Sequence, residues 1–146
     1  MLGERRLATD CGRRKFRYSQ QMAECSQVIY VADGWITEAI ANQAVEKGEA
    51  IDSEFSLILD ALMSDAPAKG WAVLKAISQD RRVSAVDDVF GMGPLSSFIL
   101  HHGMDFRKAI HEFWDMHQGF QEQYKMVVFC DLAEAIISPD NIAGNR

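Results

Sequence analysis

What this 146-residue chain lacks closes several options at once. Its three cysteines, Cys11, Cys25 and Cys130, show no C-x-x-C spacing, which argues against a disulfide framework or a thiolate zinc site. They read as free thiols. No apolar run approaches the ~20 residues that cross a bilayer, because Asp33, Glu38, Asp60 and Glu134 interrupt the best candidates. The basic N-terminus leads into Ser19, Gln20 and Gln21 where a secretory signal would be apolar. No membrane association and a cytoplasmic location are therefore expected. Period-2 alternation, fixed-period repeats and low-complexity segments are missing too, leaving little support for strands or a solenoid.

What is present is a good core and an uneven charge. Hydrophobic residues make up 48%, enough for one core in a chain too short for two ordinary domains. Residues 1–21 hold six of the fifteen Lys and Arg and two acids, Glu4 and Asp10, so this leader carries +4. The other nine bases face nineteen acids, a body of −10. Such a body repels polyanions, so direct nucleic-acid binding is not expected. Met22 follows the leader at once, so residues 1–21 read as a disordered or alternative start rather than a nucleic-acid-binding arm. The expected division is a leader over 1–21, a helical domain over 22–138 and a polar tail over 139–146.

From Val28 onward apolar residues recur at helical spacing, which predicts an all-α single compact domain of six or seven short helices. Val28, Val31, Ala32, Trp35, Ile36 and Ala39 form a first face, ended by Gly48. Asp52 or Ser53 caps a second helix bearing Phe55, Ile58, Leu59 and Leu62. Pro67 suits the first turn of a third, with Asp65 as its cap and Trp71, Leu74 and Ile77 inward. Val83, Val86, Val89 and Phe90 predict a short helix broken at Gly91–Pro94. Leu95, Phe98 and Ile99 continue to His101, His102 and a left-handed cap at Gly103. Phe106, Ala109, Ile110, Phe113 and His117 mark the clearest helix. Beyond Gly119, Phe120, Tyr124, Val127, Val128, Leu132 and Ala135 line one last helix running to about Ile137, with Asp131 at the centre of its stripe and in need of a partner.

Catalytic patterns are weak. His111-Glu112-Phe113-Trp114-Asp115 is near H-E-x-x-H, but Asp115 replaces the second histidine, and no third ligand is fixed by His101, His102 or His117. His111, Glu112 and Asp115 read better as the solvated face of a helix, and His117 as a hydrogen-bonded core or boundary histidine. Gly91-Met92-Gly93-Pro94 lacks the preceding strand and the Lys-Ser/Thr of a phosphate loop. Ser56, Ser96 and Ser97 have no nucleophile-elbow context. Trp35 and Trp71 read as core, and Trp114, at the edge of its stripe, as a possible partner anchor.

The stretch Gly93-Pro94-Leu95-Ser96-Ser97-Phe98-Ile99-Leu100-His101-His102-Gly103, followed after Asp105 by an amphipathic helix and Phe120, resembles an uncharacterised bacterial family of small all-helical domains. Members of that family show a Gly-Pro-Leu-x-x-Leu-Leu-x-x-His-Gly-like centre, and Trp35-Ile36 also fits. The likeness covers about Val28 to Val128. It departs at Ser96, where the family pattern has an acid, and in the long Asp80–Val89 connection. It implies a helical fold of bacterial or phage origin and brings no catalytic residues.

These features point to an acidic, non-enzymatic binding protein without cofactor or metal, docking on a basic, nucleic-acid-handling partner such as a nuclease or CRISPR effector subunit. The body's field would steer encounter with cationic clefts. Immunity proteins against nuclease toxins and phage anti-CRISPR inhibitors share this build. Expected contacts are Glu46, Glu49, Asp52, Glu54, Asp87, Asp88, Glu112, Asp115 and Glu122, with Trp114; self-association is left open. Two other readings stand beside it: a metal-dependent enzyme using His101, His102, His111 and nearby acids, and a DNA-binding regulator using the basic arm.

Overall fold

A computed structural model describes residues 24–45 and 53–138. The leader, the tail and the expected contacts Glu46, Glu49 and Asp52 lie outside the described residues. Among the described residues the fold is all-α, with seven helices: α1 (24–44), α2 (Glu54–Asp65), α3 (Pro67–Gln79), α4 (Arg81–His102), α5 (Arg107–Met116), α6 (Gln118–Tyr124) and α7 (Cys130–Ile137).

The expected inward faces of α1 and α3 are buried, whereas α2 buries Met63 with Leu59 and leaves Ile58 exposed, and the caps differ from those expected. α1 buries Val31, Ala32, Trp35, Ile36 and Ala39. Ser53 occupies the N-cap of α2 but makes no side-chain cap bond. Instead the Glu38 carboxylate reaches across from α1 and accepts the Phe55 N–H at 3.0 and 3.1 Å, supplying from another helix the acceptor that a helix start needs. Asp65 does not cap α3, because it is still the last residue of α2 and Ala66 alone joins the two helices. Pro67 does stand in the first turn of α3. That helix is inserted among its neighbours and buries Gly70, Trp71, Val73, Leu74, Ile77 and Ser78.

The expected break at Gly91–Pro94 is not there. α4 passes without interruption from a 3-10 start (Arg81–Val86) through α turns (Asp87–Phe90) and a π turn (Gly91–Leu95) into a final α segment (Ser96–His102). Pro94 has no N–H to donate, and the widened turn absorbs this defect instead of ending the helix. The Ser96 hydroxyl donates to the Gly91 carbonyl at 2.6 Å. By length and composition α4 could cross a membrane, contrary to the expectation that no run would. In this fold its Val83, Val86, Phe90, Leu95, Phe98 and Ile99 are core residues, which accounts for its apolar character. Gly103 ends it in right-handed backbone, φ −56° and ψ −42°, not the left-handed cap. Its lack of a side chain serves packing, since a methyl there would strike the Ile136 side chain.

The boundary between α5 and α6 is His117, in extended backbone, and Gly119 lies inside α6. The single last helix expected beyond Gly119 is two. Met126 N–H bonds Gln123 O at 3.0 Å and Val127 N–H bonds Tyr124 O at 3.2 Å, three residues back rather than four. The Val128 N–H leaves the helix pattern altogether for the Ser96 hydroxyl at 3.0 Å. α7 then begins in a new register that buries Ala133 and Ile136. Asp131 is consequently exposed, and the costly buried charge expected at that position does not arise.

Trp71 is the meeting point of the core. Its ring stacks on Phe98 of α4 at 5.6 Å and meets Phe113 of α5 and Phe120 of α6 edge-on at 5.7 and 6.0 Å. Phe113 and Phe120 also touch each other at 4.8 Å. α6 lies so close to the π turn that a methyl on Gly91 would run into the Gln123 carbonyl and the Met126 side chain, while nothing stands near Gly93. Gly91→Ala should therefore destabilise the fold by about 1–3 kcal/mol through overpacking. Gly93→Ala should be neutral or stabilising by up to about 1 kcal/mol, from helix propensity. Urea denaturation of both variants tests the pair, and equal effects would show that the close approach does not govern Gly91.

Candidate partner-docking surface

The sequence-expected contacts do not share one environment. Glu54, Asp88 and Glu112 are exposed on α2, α4 and α5. Asp115 is exposed and pairs with His111 at 3.3 Å. Glu122 pairs with Lys125 at 3.1 Å. Asp87 is half-buried and turned to structural use: its carboxylate accepts from the Gln123 amide at 3.1 Å, and Gln123 in turn accepts from the buried Ser78 hydroxyl at 2.6 Å. Trp114 is half-buried, as its position at the stripe's edge suggested, and lines a recess of about 330 Å³.

The histidines are dispersed. His101 and His102, with ring centroids 6.4 Å apart, line one recess together with Asp60 and Ser64. His111 lies on α5 beside Asp115 and Trp114 instead. His117 sits against Phe113 with ring centroids 4.3 Å apart and meets the Gln79 amide at 3.4 Å, a boundary residue as expected. Among the described residues no group of three His, Cys, Asp or Glu side chains is placed to hold a metal ion.

A third recess, of about 720 Å³, lies between α1 and the end of α3, walled by Ile29, Tyr30, Ala76 and Gln79. Arg82 lines it with two carboxylates, Asp33 at 2.7 Å and Asp80 at 2.9 Å. The Arg82 side chain, by hydrogen bonding, holds the Asp80 carboxyl below its ordinary value of 3.8, against the opposing effect of partial burial. The guanidinium is raised above its usual range by the same bonds, from Asp80 first and then from Asp33. Those bonds occupy the arginine within the fold.

Sequence reasoning missed an apolar patch where the π turn of α4 meets the link between α6 and α7. Met92, Met126, Val128 and Phe129 are exposed there by 55, 45, 53 and 36%. Two contacts hold the link against the turn: Gly91 packs on Gln123 and Met126, and the Ser96 hydroxyl accepts the Val128 N–H. Ser96 is itself only 2% exposed and serves both sides of this junction. Val128 was expected inside with Val127, but only Val127 is buried. The signal for this was the unbroken run Met126-Val127-Val128-Phe129-Cys130, which one helix face cannot bury whole. Acids fringe the patch. Asp88 and Glu122 each stand one helical turn before a patch methionine, Asp131 stands two residues after Phe129, and all three are exposed.

Comparison with family models, with curated proteins and with solved structures found no match for this chain.

Ser96→Ala removes both bonds of the junction and strands a carbonyl and an N–H, so it should cost about 1–3 kcal/mol. It should also raise amide exchange at Val128, readable by NMR. Asp80→Asn keeps a side-chain oxygen that can accept the Arg82 N–H but removes the charge paired with the Arg82 guanidinium, and should destabilise the fold by less than about 1 kcal/mol at neutral pH. Because the folded Asp80 carboxyl titrates below 3.8, its charge-dependent contribution is complete above that pH and fades as pH falls through the lower folded-state value. Urea melts of wild type and variant should accordingly converge at acid pH.

Proposed function

We propose that this chain is a non-enzymatic docking protein that grips a basic, nucleic-acid-handling protein and blocks its cationic surface. The observation that carries the reading is the apolar patch of Met92, Met126, Val128 and Phe129 with exposed acids around it. Monomeric surfaces rarely leave such side chains in one place without use, and methionines suit interfaces that must adapt to a partner's shape. An apolar centre within a charged rim is also the usual anatomy of a protein interface. The two parts divide the work. The body's −10 charge over residues 22–146 steers encounter with a cationic face, and the patch supplies the area that holds the complex together.

The test follows from that division. The partner is captured from cells of the source or its phage host, and its binding is followed by surface plasmon resonance. Asp88→Lys with Glu122→Lys should slow association about tenfold and weaken its salt dependence, with little change in dissociation. Met92→Ser with Met126→Ser should speed dissociation about tenfold and leave association nearly unchanged. Capture that ignores both pairs, and added salt as well, would end the proposal.

A further inference from the structure

α5, α6 and α7 enclose the recess that Trp114 lines. Its apolar walls include Trp114, Tyr124, Val127 and Ile137, around a volume of about 330 Å³. That lies at the lower end of the ~300–1,000 Å³ range of small-molecule sites, which are apolar with a few placed polar groups. The polar groups here are unequally committed. The Tyr124 hydroxyl donates to the Ala133 carbonyl at 2.6 Å, and burial raises its ionisation far above the usual range, so it stays a neutral, occupied part of the wall. The Lys125 ammonium is engaged by Glu122 at 3.1 Å. The Gln121 amide nitrogen donates to the Trp114 carbonyl at 2.8 Å, which leaves the oxygen of that side chain as an acceptor. Glu134, also on the lining and exposed, has no ion-pair partner among the described residues. What remains for a ligand is a carboxylate, an amide oxygen and a half-buried indole, a set that favours a cation.

We propose that this recess is a binding site for small aromatic amines: a ring of phenyl size lies against Trp114 and the apolar walls, and the ammonium meets Glu134 and the Gln121 oxygen. The site adjoins the docking patch, since Lys125, Val127 and Cys130 around the same link line it, but none of the exposed patch residues Met92, Met126, Val128 and Phe129 does.

The probes are phenethylamine and its anionic counterpart 3-phenylpropionate, titrated into the full chain and followed by amide NMR shifts and tryptophan emission. Trp35 and Trp71 are buried at 4 and 5% exposure, so the emission change should come from Trp114 and vanish in Trp114→Phe. Phenethylamine should bind saturably, and 3-phenylpropionate about tenfold or more weakly, since it places a carboxylate against Glu134. Glu134→Gln, at an exposed position that leaves the fold intact, should reduce the amine's affinity about tenfold and narrow the preference over the acid. Met92→Ser with Met126→Ser should leave amine binding unchanged, so this result and that of the docking test are read independently. Equal binding of amine and acid, indifference to Glu134→Gln, or the absence of saturable shifts around Trp114 would each overturn the assignment.

Discussion

The fold depends on one indole. Trp71 projects from the most enclosed helix, α3, and its ring is the surface against which Phe98, Phe113 and Phe120 are placed. These three rings come from α4, α5 and α6, so a single side chain sets the positions of three helices that are distant in sequence from it. Offset and edge-on ring contacts are directional as well as apolar. This suits a domain made of short helices, several of which have fewer than a dozen residues and would be marginal in isolation. Around this centre the polar Ser78–Gln123–Asp87 chain adds a second tie between α3, α6 and α4. Its members are hydrogen-bonded to one another, so the burial of Ser78 and Gln123 leaves no stranded polar atom there.

Helix existence was legible in the sequence because the periodicity of Val31 to Ala39, of Trp71, Leu74 and Ile77, and of Ile110 and Phe113 reflects burial on one side. Helix ends were less legible. The reasons are specific: α2 takes its first acceptor from Glu38, seventeen residues away, and the end of α6 is decided by Ser96, thirty-two residues from the N–H it captures. Local composition carries no trace of such partners. Gly91 and Pro94 illustrate the converse. Both are breakers by composition, yet tertiary contact with α6 requires the glycine and a widened turn accommodates the proline, so the helix continues through them.

The candidate surface was legible only in part. Charge counting identified the acidic body and named Asp88 and Glu122, which do fringe the patch, but it also named Asp87, whose carboxylate is engaged by Gln123. A charged residue's type does not reveal whether its oxygens point to water or to an internal amide. The apolar centre escaped notice because the register of a presumed single helix assigned Val128 to the core. Once the helix is split at residues 125–129, Met126, Val128 and Phe129 become exposed beside the π turn while Val127 stays in the core.

The π turn also fixes the phase of everything that follows it in α4. A π turn amounts to one residue inserted into an α-helix, and a helix advances about 100° per residue. Val83, Val86 and Phe90 before the turn and Leu95, Phe98 and Ile99 after it reach the same core because the widened turn absorbs that extra residue; in a regular α-helix of this length the second set would lie about 100° further round the axis. Forcing the Gly91–Leu95 segment into regular α turns at its present length would swing Phe98 off Trp71, whereas deleting one residue from it would restore a regular helix with Phe98 still in phase. The widened turn is thus as necessary to the core as the identity of any side chain in it, even though a side chain at Gly93 within it would meet open space.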